Sequence, residues 1–155
     1  MTADADETAR AARTSRYVLR VRFPHTDLMG IVHHARYLEY FEAGRIEYMH
    51  RRGVDYGNWA GRGIHLPVVE AQVRYRKPVR FDERIAIDTT VAELSRVKVC
   101  FACRIVREAP GEELIAEGHT VHACVDGRHA ITRIPDELAK LLVGPETHPR
   151  PIDAA

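Results

Sequence analysis

Along residues 17–23 (YVLRVRF) apolar and polar side chains alternate, with Tyr17, Leu19, Val21 and Phe23 on one side and Arg20 and Arg22 on the other. A period of two predicts a strand with one face buried, and Pro24 ends it. From about His34 to Arg52 the period changes. Ala35, Leu38, Phe41, Arg45 and Met49 recur three and four apart, which predicts a long helix. Its apolar surface, widened by Tyr37, Gly44 and Tyr48, suits packing on a broad sheet. Gly53 after Arg51 and Arg52 is a stop signal, because cations sit well at a helix C-terminus and glycine closes it. Residues 54–66 hold three glycines and the only tryptophan and read as an irregular connection.

Four more alternating runs follow Pro67. Their apolar faces are Val69, Ala71, Val73 and Tyr75; Ile85, Ile87, Thr89 and Val91; Val97, Val99, Phe101, Cys103 and Ile105; and Ile115, Val121, Ala123 and Val125. The short links at 95–96 and 108–112 suit antiparallel hairpins. A short amphipathic helix is expected from Pro135, with Leu138, Leu141 and Leu142 apolar. The pattern predicts an α+β protein with one domain over residues 17–143, and disordered tails at 1–16 and 144–155. One helix covers one sheet face, which leaves an edge and further strand surface to be covered. Self-association is the economical way to cover them.

Composition narrows the partners. The chain has 155 residues and a formal net charge of +1, which argues against a nucleic-acid binder. No window approaches the roughly 20 apolar residues of a membrane span, and the first sixteen residues lack the apolar middle of a signal peptide. A reducing, cytoplasmic location is the default expectation. Cys100 and Cys103 form a CxxC inside a strand pattern. Residues three apart on a strand point to opposite faces, so a redox pair or metal chelate is not expected. His119 and His122 fail as ligands for the same reason, and His33 with His34 because neighbours on a helix diverge. No metal is expected.

The segment HTDLMG is a turn, with Thr26 and Asp27 as helix-entry residues and Gly30 open to backbone angles closed to other residues. Spacing alone leaves Asp27 equally a helix cap or a catalytic acid. Glu39 with Arg36, and Glu42 with Arg45, read as intrahelical ion pairs.

The run VRFPHTDLMGIVHHARYLEYFEAGRIEYM, with its TD-x-x-G-x-V…Y…E…R pattern, resembles the signature of hot-dog-fold acyl-CoA thioesterases of the 4-hydroxybenzoyl-CoA thioesterase and YbgC-like branch. LPVVEAQVRYRKPVRFDERIAI resembles the same family, and the similarity covers roughly residues 17 to 140. The resemblance implies a hot-dog fold, a long central helix wrapped by a five-stranded antiparallel sheet, assembled as a homodimer or homotetramer with sites between subunits. It implies Asp27 as the catalytic carboxylate and the backbone N–H at His34 as the donor to the thioester carbonyl. Gly30, Ile31, Val32, His33 and Tyr37 are implied on the substrate side, and Arg96 and Lys98 near the coenzyme A phosphates. Glu42 is the rival carboxylate, because another branch carries its acid on the long helix. The implied reaction is hydrolysis of an acyl-CoA to a free acid and coenzyme A without a cofactor, Asp27 acting as nucleophile or general base. An acyl-carrier-protein thioesterase and a non-catalytic acyl-CoA-binding module are the alternatives.

Overall fold

The structure is a computed structural model that describes residues 13–148. Strand β1 (Thr14–Arg20) is followed by a 3-10 turn (Phe23–His25), the long helix α1 (Arg36–Arg51) and a one-turn-and-a-half helix α2 (Tyr56–Gly61). Strands β2 (Val68–Tyr75), β3 (Arg84–Leu94), β4 (Lys98–Arg107) and β5 (Leu114–Ala123) complete the sheet, and α3 (Asp136–Val143) closes the described chain. The five strands are antiparallel in the order β1-β3-β4-β5-β2. The first strand therefore lies at one edge and the second at the other.

Helix α1 packs across the sheet on two apolar clusters. Around its first half Tyr37, Tyr40 and Phe41 meet Val79, Ile85, Ile87, Ile105 and Ile115. Around its second half Tyr48 and Met49 meet Trp59, Val99, Phe101, Leu138 and Leu142. The closest approach is at Gly44, where an added Cβ would stand 2.6 Å from both Ile87 Cγ2 and Thr89 Oγ1. Any side chain there would push the helix off the sheet.

Several boundaries differ from the sequence expectation. β1 begins at Thr14, so residues 14–16 belong to the sheet, while residues 1–12 lie outside the described part. Phe23 is exposed, because Pro24 turns the chain into the 3-10 turn instead of letting the strand run on. The helix starts at Arg36, two residues late, and Leu38 is exposed while Tyr37 and Tyr40 carry the buried stripe. The loop expected at 54–66 contains α2, started by Asp55, whose carboxylate accepts from the Asn58 N–H at 3.2 Å. Residues 144–148 dock on the helix end, with the Thr147 and His148 N–H groups both donating to the Arg51 carbonyl at 2.8 Å. Residues 149–155 lie outside the described part. Val68, Val69 and Tyr75 on β2 are about half exposed or more, and the outer edge of that strand has no neighbouring strand among the described residues.

Candidate active site

The turn after β1 is a small hairpin. Thr26 bridges Val32, the Asp27 N–H donates to the Ile31 carbonyl at 2.9 Å, and the Gly30 N–H donates to the Asp27 carbonyl at 2.9 Å. Gly30 sits at φ +75°, a left-handed conformation that L side chains adopt at a cost. The hairpin is fixed to the sheet by the Ile31–Arg80 bridge and by the Val32 N–H on the Val79 carbonyl at 2.9 Å. From below it is held by His25, whose Nδ1 lies 2.9 Å from the buried Tyr40 hydroxyl. Burial, and then the Arg36 guanidinium, push the His25 pKa down. Burial raises the Tyr40 pKa, so it remains a donor.

Asp27 does not cap the helix. The residue at the N-cap of α1 is Ala35, with no side-chain hydrogen bond to the first turn. One Asp27 carboxylate oxygen, Oδ1, instead accepts from the Met29 N–H at 2.8 Å. The other has no partner among the described residues. A carboxylate half engaged in bracing its own loop keeps one oxygen for chemistry.

Asp27, His34 and Tyr37 line a single cavity of about 420 Å³, with Ile31 and Val32 on the same wall. Tyr75, Arg76, Lys77 and Pro78, at and just after the end of the edge strand, also line it. Tyr37 is buried, and burial followed by the neighbouring Tyr75 raises its pKa. It stands edge-on to Tyr75 at 5.0 Å. The two histidines lie in a turn ahead of the helix, and their rings lie 4.1 Å apart, tilted by 31°. They do not diverge as expected, because neither is yet helical. Among the described residues no three His, Cys, Asp or Glu side chains are placed to hold a metal ion.

The sequence-predicted residues thus separate. Asp27, Ile31, Val32, His34 and Tyr37 share the cavity, while Gly30 and His33 shape the loop without lining it. Arg96 and Lys98 lie elsewhere in the chain. Lys98 pairs with Ala123 at one end of β5, and Tyr75 pairs with Ala116 near the other. Seven residues of strand amount to roughly 23 Å. Glu42 is exposed and outside the cavity, 3.9 Å from Arg45. The residues that sequence reasoning missed are Tyr75, Arg76 and Lys77. The signal was present in RYRKPVR (74–80), a basic run interrupted by Pro78. Of these, Arg76 is paired with Glu117 at 2.8 Å.

A five-stranded antiparallel sheet packed on one long helix is the hot-dog arrangement. Residues 21–142 match the family model of the Thioesterase-like superfamily, and the chain belongs to that family. It is a thioester hydrolase. The hypothetical protein TT1821 from Thermus thermophilus is 38% identical with a TM-score of 0.75, over 84% of this chain and 96% of that one. The DHNA-CoA thioesterase from Staphylococcus aureus is 28% identical with a TM-score of 0.71, over 78% and 79% of the two chains. The acyl-CoA thioester hydrolase YbgC of Escherichia coli O157:H7 is 27% identical over 111 residues, 72% of this chain and 81% of the relative.

Proposed function

We propose that the substrate is an acyl-CoA, hydrolysed to the free acid and coenzyme A with Asp27 as nucleophile or general base and the His34 N–H as oxyanion donor. The observation that carries this is the shared cavity: Asp27, whose carboxylate keeps one oxygen without a partner, and His34, whose N–H has no acceptor among the described residues, line the same space. A thioester is already activated, so hydrolysis needs a polarised carbonyl and a nucleophile and no metal or redox cofactor. If Asp27 acts as base, it takes a proton from water, the water oxygen adds to the carbonyl carbon, and charge develops on the carbonyl oxygen facing the amide. The C–S bond then breaks, and the leaving thiolate takes up a proton. If Asp27 attacks directly, its carboxylate oxygen bonds to the carbonyl carbon, the C–S bond breaks to release the thiolate, and water cleaves the resulting mixed anhydride to the free acid and the Asp27 carboxylate.

The cations Arg76 and Lys77 beside the cavity suit the phosphates of coenzyme A, and the same charges would suit an acidic carrier protein. Within one chain Arg96 and Lys98 are too distant to join them, so their phosphate role requires a second copy. The uncovered β2 edge, with Val68, Val69 and Tyr75 exposed, supports a homodimer or a larger homo-oligomer. A single-chain mass by sedimentation would remove that part of the reading. A cytoplasmic location fits three free cysteines, two of them buried.

The test is thiol release across a panel of acyl-CoAs, with the carrier-bound form of one acyl group beside its coenzyme A form. Replacing Asp27 by Asn keeps the shape and the Met29 contact but removes the base. Turnover should fall by about 10³ or more, with the melting temperature unchanged. Parental turnover in Asp27→Asn would refute the assignment.

A further inference from the structure

Around His34 the main chain is tied down almost completely. The His33 N–H donates to the His25 carbonyl at 2.8 Å, and the His33 carbonyl accepts from the Arg36 N–H at 2.9 Å. The next peptide, joining His34 to Ala35, is held at both of its polar groups. Its carbonyl accepts from the Tyr75 hydroxyl at 2.9 Å, and its N–H donates to His33 Nδ1 at 3.1 Å. The exception among the described residues is the His34 N–H, on the residue that lines the cavity.

We propose that Tyr75 and His33 are positioning residues which lock the His34–Ala35 peptide and thereby hold the His34 N–H toward the cavity. The proposal rests on reading that N–H as the oxyanion donor. A peptide is a rigid plane, so an amide is aimed by the torsions of the residues beside it. The first helical N–H, that of Arg36, holds the preceding 33–34 peptide by its carbonyl, but the N-cap is an alanine without a capping side chain to hold the 34–35 peptide. Two side-chain bonds supply the missing restraint. One comes from the neighbouring residue, and the other from Tyr75, 41 positions away on the edge strand.

The Tyr75 ring is itself steadied edge-on against buried Tyr37. Without these bonds the 34–35 peptide can turn, and its carbonyl dipole can swing toward the place where negative charge develops. A donor already aimed needs no reorganisation during the reaction. The loss on removing a lock therefore falls on the transition state and spares ground-state binding.

The experiment compares kcat and KM for one acyl-CoA in Tyr75→Phe, His33→Ala and His33→Asn, with Asp27→Asn run beside them. Tyr75→Phe keeps the ring contact and deletes only the hydroxyl. Both Tyr75→Phe and His33→Ala should lower kcat about tenfold with KM within about twofold. Asn has a side-chain oxygen able to accept from the N–H two residues on, so His33→Asn should recover most of the His33→Ala loss. Parental kcat in Tyr75→Phe, an effect confined to KM, or equal losses in the two His33 variants would each overturn the proposal. If Asp27→Asn is dead and Tyr75→Phe is unimpaired, only the positioning role falls. If Asp27→Asn turns over at the parental rate, the reading of the site fails and this proposal with it.

Discussion

At the start of α1, Arg36 and Glu39 pair at 2.9 Å with side chains 37% and 53% exposed; near its end, Arg51 and Glu47 pair at 3.0 Å with side chains 5% and 10% exposed. The residue types are the same and the surroundings are opposite. An exposed pair of this kind contributes a few tenths of a kcal/mol and is screened by salt. A buried one must be closed by further partners to offset its desolvation. The second end supplies them. Arg51 also reaches Glu146 at 3.6 Å, Ser15 Oγ donates to that glutamate at 2.7 Å, and Arg52 Nη1 donates to Ser15 Oγ at 2.6 Å. Arg52 Nε donates to the Gly144 carbonyl at 3.0 Å, and its guanidinium lies 3.5 Å above the Tyr48 ring. One end of the rod is left open, with an amide unengaged and a carboxylate half free. The other is sealed by a clamp that joins the first strand, the helix and the chain after α3. On the proposed reading of the site, chemistry and the buried clamp lie at opposite ends.

Breaking the clamp gives the larger effect on stability. Arg52 is fully buried, so Arg52→Ala removes a large packed side chain and leaves the Gly144 carbonyl and Ser15 without their donor. The expected loss is about 4 kcal/mol, on the order of 10 °C in Tm for a domain of this size. Turnover per folded molecule should stay at the parental level, the inverse of what Asp27→Asn does. Arg52→Met keeps much of the volume without the charge and should cost less, because an apolar side chain has no desolvation to offset. Chemical denaturation with active-site titration of the folded fraction checks both. A loss of turnover in folded Arg52→Ala would mean that the two ends are coupled.

The contrast also explains what the sequence disclosed. Alternation in 85–91 and 97–105 marks strands because both faces of a sheet obey a period of two, and the TD-x-x-G pattern marks the loop because only a few residue types make that hairpin. Arg52 was legible only as a cation suited to a helix C-terminus. Tyr48 lies one helical turn back, but the burial of Arg52 also depends on Ser15 and Gly144, far away in the chain, and no local pattern encodes those partners. Leu38 misled for the converse reason: its spacing fits the apolar stripe, yet Tyr37 and Tyr40, carrying hydroxyls, are the residues that face the sheet. The three glycines of 54–66 concealed α2, whose start is signalled by Asp55 alone. Tyr75 could be placed on a strand but not in the site, because the partner of its hydroxyl is a main-chain carbonyl that has no signature in sequence.

A smaller effect, again in the sealed half, concerns pH. His122 is 1% exposed, stands edge-on to Phe101, and has Nδ1 2.8 Å from the Leu66 carbonyl and Nε2 2.8 Å from Thr120 Oγ1. Burial lowers its pKa from 6.5 to about 4, with the Arg45 charge acting in the same direction and the Leu66 carbonyl opposing it. The neutral ring is the folded form, whereas in the unfolded chain the imidazole takes up a proton below about pH 6.5. Stability from this group is therefore complete above pH 6.5, falls as the pH drops from 6.5 toward 4, and is lost below that. The shift corresponds to about 3 kcal/mol at most. Denaturant midpoints measured across that window should decline in the parent, and the decline should flatten in His122→Gln, which has no proton to gain. The same slope in parent and variant would place the acid sensitivity elsewhere.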